Sequence, residues 1–270
     1  MCKDCGCSIP KDHDHSHTHA DGTTHSHSHD HDHAHSHGHS HDHSHHEHAN
    51  PTLNDKKTID VISKILSAND EQAQKNRAWL DGHKILSLNL MSSPGSGKTT
   101  LLEATIKSGE YKIGVVEGDL ETNQDANRII KAGGKAHQIS TGQACHLDAF
   151  MVHDGLHHLP LSELDVVFVE NVGNLVCPAS YDVGTHINVV LISVPEGDDK
   201  VAKYPVMFRS ADVVIISKID LLPHFDFDVQ KVKDEARKLN PKVDIIEIDS
   251  KNGEGVRKWL DFIKYKKEYR

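Results

Sequence analysis

A chain of 270 residues with a formal net charge of −10 at pH 7 and no evident basic face is poorly matched to a phosphate backbone, so nucleic acid is not expected as a partner. No run approaches the ~20 apolar residues of a membrane span, and the start lacks the apolar core of an export signal; a cytoplasmic protein without a membrane partner is expected. Five cysteines, three of them crowded at the start, exclude a disulfide framework and point to thiolate ligands in a reducing compartment.

In chain order, residues 1–10 form a Cys-rich head. Cys2, Cys5 and Cys7 offer three thiolates within six residues, and if Met1 is removed the α-amino group of Cys2 is a fourth donor suited to square-planar Ni(II). Residues 11–50 form a His-rich tract in which 17 of the 36 residues from His13 to His48 are histidine. Neutral imidazole suits nickel, zinc and copper, so the tract should hold several divalent ions. With Ile9 the one large apolar side chain after Met1, these fifty residues cannot offset the entropy of ordering, and a disordered tail is expected.

Residues 51–270 have the size of one α/β domain. A helix is predicted over 58–80, with Ile59, Ile62, Ile65, Leu66 and Ala73 at helical spacing. Short Val- and Ile-rich runs then alternate with helical segments, at 85–91, 112–117, 136–139, 166–170, 187–194, 213–217 and 243–248. Runs without a polar alternate face suit parallel strands covered on both sides, so the expected fold is a mostly parallel sheet of about seven strands, closed by a helix over 256–267. Ligands in such sheets sit at the carboxyl ends of the strands.

The first of these strands runs into Ser92-Ser93-Pro94-Gly95-Ser96-Gly97-Lys98-Thr99-Thr100, with a helix beginning at Leu101. This is a P-loop pattern with Ser92 in the first glycine position. Backbone N–H groups of Gly95, Ser96, Gly97 and Thr100 are expected to cradle phosphate, Lys98 to reach the β/γ phosphates, and the Thr99 hydroxyl to meet Mg²⁺. Asp119 and Glu170, at the ends of two further strands, are the metal-side candidates, and Gly173 would let a backbone N–H approach the γ-phosphate. Lys98, Asp119, Glu170 and Gly173 are therefore the catalytic candidates. Ser217-Lys218-Ile219-Asp220 resembles a guanine-reading motif: Asp220 can accept N1–H and N2–H of guanine, Lys218 can lie across the base, and the Ser250-Lys251 backbone can meet its O6. Adenine offers no such donor pair, so GTP is expected over ATP. Ser217 stands where an Asn usually opens the motif, which leaves open how the loop is tethered. No arginine finger is evident in the sequence; Arg128 and Arg209 are the arginines to watch, and slow turnover is expected.

Taken together, Cys2-x-x-Cys5-Gly6-Cys7, the His tract, 92–99, 117–128, Gly142-Gln143-Ala144-Cys145-His146-Leu147-Asp148 and 170–178 resemble the hydrogenase nickel-incorporation GTPases of the HypB type, over the whole chain. The resemblance implies a seven-stranded P-loop fold, slow GTP hydrolysis and a homodimer that forms with nucleotide. It also implies delivery of nickel to the large subunit of nickel–iron hydrogenase, alongside a small zinc-containing, nickel-binding partner of the HypA type. Urease accessory GTPases are related in fold and mechanism. By the same resemblance Cys145, His146 and Cys177 are the switch-linked site for Ni²⁺ or Zn²⁺ between two subunits. The segments carrying them are expected to leave neighbouring strands at one sheet edge. His153, His157, His158, His186 and His224 read as packing or solubility residues, although His153 and His157 share a helix face. Competing readings are a metal-storage protein whose nucleotide domain governs oligomerisation, and a P-loop chaperone of another metalloenzyme such as urease.

Overall fold

The computed structural model describes residues 16–18, 24–26, 56–119, 123–142 and 144–270. Cys2, Cys5, Cys7, most of the His tract, residues 120–122 and Gln143 lie outside the described residues. The chain divides into two units, 2–60 and 61–270. In the first, β1 (Ser16–Thr18) and β2 (Thr24–Ser26) pair antiparallel, with His17 opposite His25.

The second unit is built on a seven-stranded parallel sheet. Its strands are β3 (Leu86–Ser92), β4 (Ile113–Asp119), β5 (Lys135–Ser140), β6 (Val166–Glu170), β7 (Ile187–Ser193), β8 (Val213–Ser217) and β9 (Asp244–Ile248), in the order β5-β4-β6-β3-β7-β8-β9. Each predicted strand is present to within two residues at either end. The helices are α1 (Lys56–Gly82), α2 (Lys98–Lys107), α3 (Gln124–Ala132), α4 (Ala149–His157), α5 (Lys200–Lys203), α6 (Pro205–Arg209), α7 (Val229–Leu239) and α8 (Val256–Glu268). Among the described residues no helix is long and apolar enough to cross a membrane.

Every residue of β3, β6 and β8 is buried; β6 and β8 are apolar up to their last residues, Glu170 and Ser217, whereas β3 alternates its leucines with buried Ser87 and Asn89. Alternate side chains serve opposite faces. Phe168 packs towards Trp259, while Val167 and Val169 pack with Leu80, Leu156 and Leu164. Trp259 is fully buried and its indole N–H donates to Thr105 Oγ1 at 2.9 Å, so the ring's one polar group is satisfied. Such a ring stabilises a core by about 3–5 kcal/mol relative to alanine. Because β3 lies at the centre of the order, the loop leaving it opens where the sheet has a neighbour on each side.

The N-terminal helix departs from the expected apolar stripe. Ile59 and Ile65 are exposed, Ile62 and Leu66 are half-buried, and of the five only Ala73 is buried. Beside Ala73 and Leu80, the buried face carries three carboxamides: Asn69, Gln72 and Asn76. Asn69 accepts from the Ala149 amide (2.9 Å) and donates to the Asp182 carbonyl (2.9 Å). Asn76 donates to the carbonyls of Ala149 (2.7 Å) and Val183 (3.2 Å). The helix lies on the first turn of α4 and on the 182–183 loop, whose backbone groups need partners, and carboxamides supply donor and acceptor together.

Candidate nucleotide and metal site

The loop between β3 and α2 holds Gly95 at φ 76° and Gly97 at φ 99°, a backbone conformation that L side chains rarely adopt. Lys98 opens α2, and its ammonium donates to Ser92 Oγ at 3.0 Å; that hydroxyl donates on to the Ser93 carbonyl (2.6 Å). Serine in the first glycine position therefore anchors the lysine. Burial lowers the Lys98 ammonium below its ordinary value, and nearby Glu170 opposes the shift.

Thr99 Oγ1 donates to Glu170 Oε1 at 2.9 Å, while Glu170 Oε2 is buried with no hydrogen-bond partner. Glu117 sits opposite Glu170 in the β4–β6 register, and its Oε2 is likewise buried and unpartnered. Burial raises both carboxyls, Glu117 to about 8 and Glu170 to about 7, and for Glu117 the charge of Glu170 adds to the effect. A half-satisfied pair of carboxyls beside a threonine hydroxyl fits a hydrated Mg²⁺, which takes one or two carboxylates and keeps several waters. Asp119 is two residues beyond Glu117 on β4 and lines the same cavity.

Gly95, Gly97, Lys98, Thr99, Thr100, Glu170 and Gly173 also line that cavity. A Cβ on Gly173 would stand 2.9 Å from the nitrogen and Cγ of Pro94, so only glycine lets this segment rest on the P-loop. Arg128 lines the cavity too, but it is committed to Glu103 (3.1 Å) and Asp125 (3.0 Å). Arg209 is exposed on α6 and lines neither this cavity nor the next.

An adjoining cavity, sharing Gly97, Thr100 and Lys218, is lined by Ser96, Asp220, Ser250 and Lys251. The tether left open by Ser217 is supplied by its hydroxyl, which donates to the Ser96 carbonyl at 2.6 Å. Lys218, at φ 58°, reaches across to the Gly95 carbonyl (2.7 Å). Buried Asp249 accepts from the amides of Lys251 (2.9 Å) and Asn252 (3.2 Å), shaping the loop that carries Ser250.

Beside the phosphate cavity, one ligand atom each from Cys145, His146 and Cys177 lies within 4.8 Å of the others. This is the one such group of three found among the described residues. Two thiols and an imidazole are a soft-to-borderline set fitting Ni²⁺ or Zn²⁺. Burial holds the His146 imidazole below its ordinary value, favouring the neutral, metal-binding form at pH 7. Its ring stacks on Tyr181 at 3.9 Å. Contrary to the expectation from sequence that they would be neighbours, the carrying strands β5 and β6 are separated by β4. The segment after β5 crosses that gap, with Leu147 packed so closely over Gly118 that a Cβ there would be 2.8 Å away.

Two asparagines join the sites. Asn171, one residue after Glu170, accepts from the amides of Leu147 and Val172 (both 3.0 Å). Asn174 donates to the Cys145 carbonyl (3.2 Å) and accepts from the Val176 amide (2.8 Å), so it spans the two cysteine-bearing segments. The sequence reading has Asn174 moving with Gly173, but it does not show that either asparagine bonds to the segment carrying Cys145 and His146.

The same chemistry appears in known proteins. Residues 86–247 match the family described as CobW/HypB/UreG, nucleotide-binding domain. A hydrogenase/urease maturation factor HypB of Helicobacter hepaticus is 49% identical over 222 residues, covering 81% of this chain and 91% of the relative. The chain belongs to the HypB hydrogenase maturation factors. The HypB hydrogenase maturation factor of Escherichia coli K12 is 45% identical over 215 residues, covering 79% of this chain and 74% of its own length. Among solved structures, HypB from Helicobacter pylori in complex with nickel is similar with a TM-score of 0.73 and 47% identity, over 74% of this chain and 95% of that one. HypB from Archaeoglobus fulgidus gives 0.70 and 43%, over 75% and 100%. The parallel seven-stranded P-loop architecture expected from the sequence is thus that of the HypB family.

In this HypB-family chain the carboxyl pair has a consequence for stability. Glu117 and Glu170 bind protons more tightly folded, at about 8 and about 7, than at the ordinary 4.5 of an exposed side chain. Their contribution to stability is therefore full below 4.5 and is lost as pH rises through 7 to 8. Glu117→Gln is expected to raise the thermal midpoint of the nucleotide-free protein at pH 8, by roughly 2–4 °C per kcal/mol recovered. Near the ordinary carboxylate value it should change little. A midpoint lowered at pH 8 would show that the ionised carboxylate is stabilised there.

Proposed function

We propose that this chain is a slow GTP-hydrolysing nickel metallochaperone that acts as a homodimer. Together with a HypA-type accessory protein, it helps insert nickel into the large subunit of nickel–iron hydrogenase. One observation carries the reading: the Cys145–His146–Cys177 cluster is hydrogen-bonded through Asn171 and Asn174 to the segment that rests on the P-loop. The nickel-bound relative supports the choice of cargo.

In this reading the backbone of Gly95, Ser96, Gly97 and Thr100 holds phosphate, with Lys98 as the cation on its terminal oxygens. Thr99, Asp119 and Glu170 form the Mg²⁺ side, joined by Glu117, whose burial the sequence did not reveal. Asp220 and Lys218 read guanine, with the Ser250-Lys251 backbone on its O6. Mg²⁺, when bound, neutralises charge developing on the phosphates. Gly173 and Asn174 shift when the terminal phosphate is lost, and Cys177, three residues on, moves with them. Three protein ligands leave a position open for exchange, whereas a structural zinc normally has four. Exposed Phe150 and Val176 flank the cluster and support a face for the second copy. The Cys2, Cys5 and Cys7 head and the His tract act as capture and storage devices in residues 1–10 and 11–50, ahead of the GTPase domain at 51–270. Arg128, held by two acids, is consistent with slow hydrolysis.

The test is nickel affinity of the protein with a non-hydrolysable GTP analogue against GDP. Tighter binding with the analogue is expected, by at least about fivefold, the lower end of ordinary coupling between sites. Equal affinities and equal exchange rates would remove the link. The dual name of the Helicobacter hepaticus relative favours urease as a second target. Urease activity unaffected by deleting the chain in a urease-bearing host would exclude it.

A further inference from the structure

A second group of histidines lies on α4, outside the nucleotide cavity and outside the cysteine cluster. His153 and His157 are one turn apart, and their Nε2 atoms face each other at 3.2 Å. His153 is half-buried and His157 exposed. The Trp79 indole covers both rings, with centroids 5.4 and 4.6 Å away.

The protonation of His153 follows from Asn76. That carboxamide is fully buried, and its nitrogen is spent on two carbonyls, of Ala149 and Val183, which can only accept. Its orientation is therefore fixed, and Oδ1 is the atom 2.9 Å from His153 Nδ1. An amide oxygen only accepts, so Nδ1 of His153 carries the hydrogen and Nε2 of the neutral ring presents a lone pair. A buried oxygen that fixes the tautomer and aims the other nitrogen outwards is the usual support of a metal-ligating histidine.

We infer that His153 and His157 form a second site for a borderline divalent cation (Ni²⁺, Zn²⁺ or Cu²⁺), in which the two Nε2 atoms are ligands and water fills the remaining positions. With metal–nitrogen bonds of about 2.1 Å, nitrogens 3.2 Å apart subtend roughly 100° at the ion, between the square-planar and tetrahedral angles. Histidines at i and i+4 on one helix face meet this requirement as in the His-Glu-x-x-His metal helix. The pair lies in the last two turns of α4, where the helix carbonyls favour positive charge. Without metal, His157 Nε2–H donates to His153 Nε2. To bind, His157 moves that proton to Nδ1 through solvent, which reaches the exposed ring, and no net charge changes. Burial and the neighbouring His157 hold the His153 imidazole below its ordinary value, in keeping with a neutral ligand. Two protein ligands make this an exchange site rather than a structural one. His153 follows His146 by seven residues, so the loop that carries Cys145 and His146 leads directly into the helix that carries this pair. The site does not depend on GTP or on the cysteine cluster.

The test uses the full-length chain titrated with Ni²⁺, free metal being set by a chelator buffer, with tryptophan emission as the local readout. Trp79→Phe isolates its signal from that of Trp259, which is buried in the opposite core layer. Saturable quenching is expected in the native chain and in the Cys145→Ser/Cys177→Ser variant. In His157→Gln, an exposed position whose change leaves the fold intact, the midpoint should move at least about tenfold to higher metal. In a crystal soaked in Zn²⁺, an anomalous peak is expected between the two Nε2 atoms. Quenching unchanged in His157→Gln, quenching lost with the cysteines, or no peak between the imidazoles would each overturn the assignment.

Discussion

Lys98→Ala is expected to lower GTP turnover by about a hundredfold or more, the loss that follows removal of one preorganised donor to a transition state. The ammonium is held by Ser92 Oγ within the phosphate cavity, where its burial away from water strengthens its interaction with developing charge. Its removal leaves Glu170 and Glu117, already raised to about 7 and about 8, without a cation that favours their charged forms. Both then hold their protons more tightly, and Mg²⁺ binding weakens as well. The fold survives, because α2 is anchored by buried Leu101, Leu102 and Ile106. Lys98→Arg should not restore activity, since a planar fork cannot occupy the place of a compact ammonium. Single-turnover phosphate release is the measurement. Turnover within about threefold of the native rate would remove Lys98 from the transition state.

The second large effect is expected at Cys177. Cys177→Ser removes one of three ligands and offers an oxygen far harder than thiolate. Nickel affinity at the cluster should fall by more than the about 10–100-fold typical of a supporting residue. Cys177 does not line the phosphate cavity, so GTP turnover should stay close to native, which separates this variant from Lys98→Ala. The readout is the thiolate-to-nickel charge-transfer absorption, taken as a difference between native and variant chains so that other thiolates cancel. In cells, hydrogenase activity lost in the variant and recovered with excess nickel would identify the defect as metal supply. An unchanged difference spectrum would take Cys177 out of the ligand set.

Much of this was legible before any coordinates. Parallel strands buried on both faces tend to be continuously apolar, so β6, β7 and β8 appear as runs rich in Val and Ile, while the edge strand β5, with no buried residue, is legible only from its place in the alternation. The P-loop is contiguous, and its glycines, lysine and threonine act through atoms a few bonds apart. Lys218, Asp220, Ser250 and Lys251 share a cavity with it because strand ends of a parallel sheet converge. The convergence of Cys145, His146 and Cys177 was read from resemblance and strand ends, but the route across β4 was not.

What the tertiary structure decided is a set of polar contacts between distant residues. Ser217 takes over the loop tether by reaching Ser96, 121 positions away. Glu117 is driven up to about 8 because the β4–β6 register sets it against Glu170. The N-terminal helix turns amides inward because the first turn of α4 and the 182–183 loop beneath it present backbone groups to be paired, and one of those amides, Asn76, fixes the tautomer of His153, 77 positions away. Periodicity and local motifs record which side of an element is buried and which loops turn. They do not record which donor meets which acceptor, because that depends on how crossovers of differing length bring separate elements within the about 3 Å reach of a hydrogen bond.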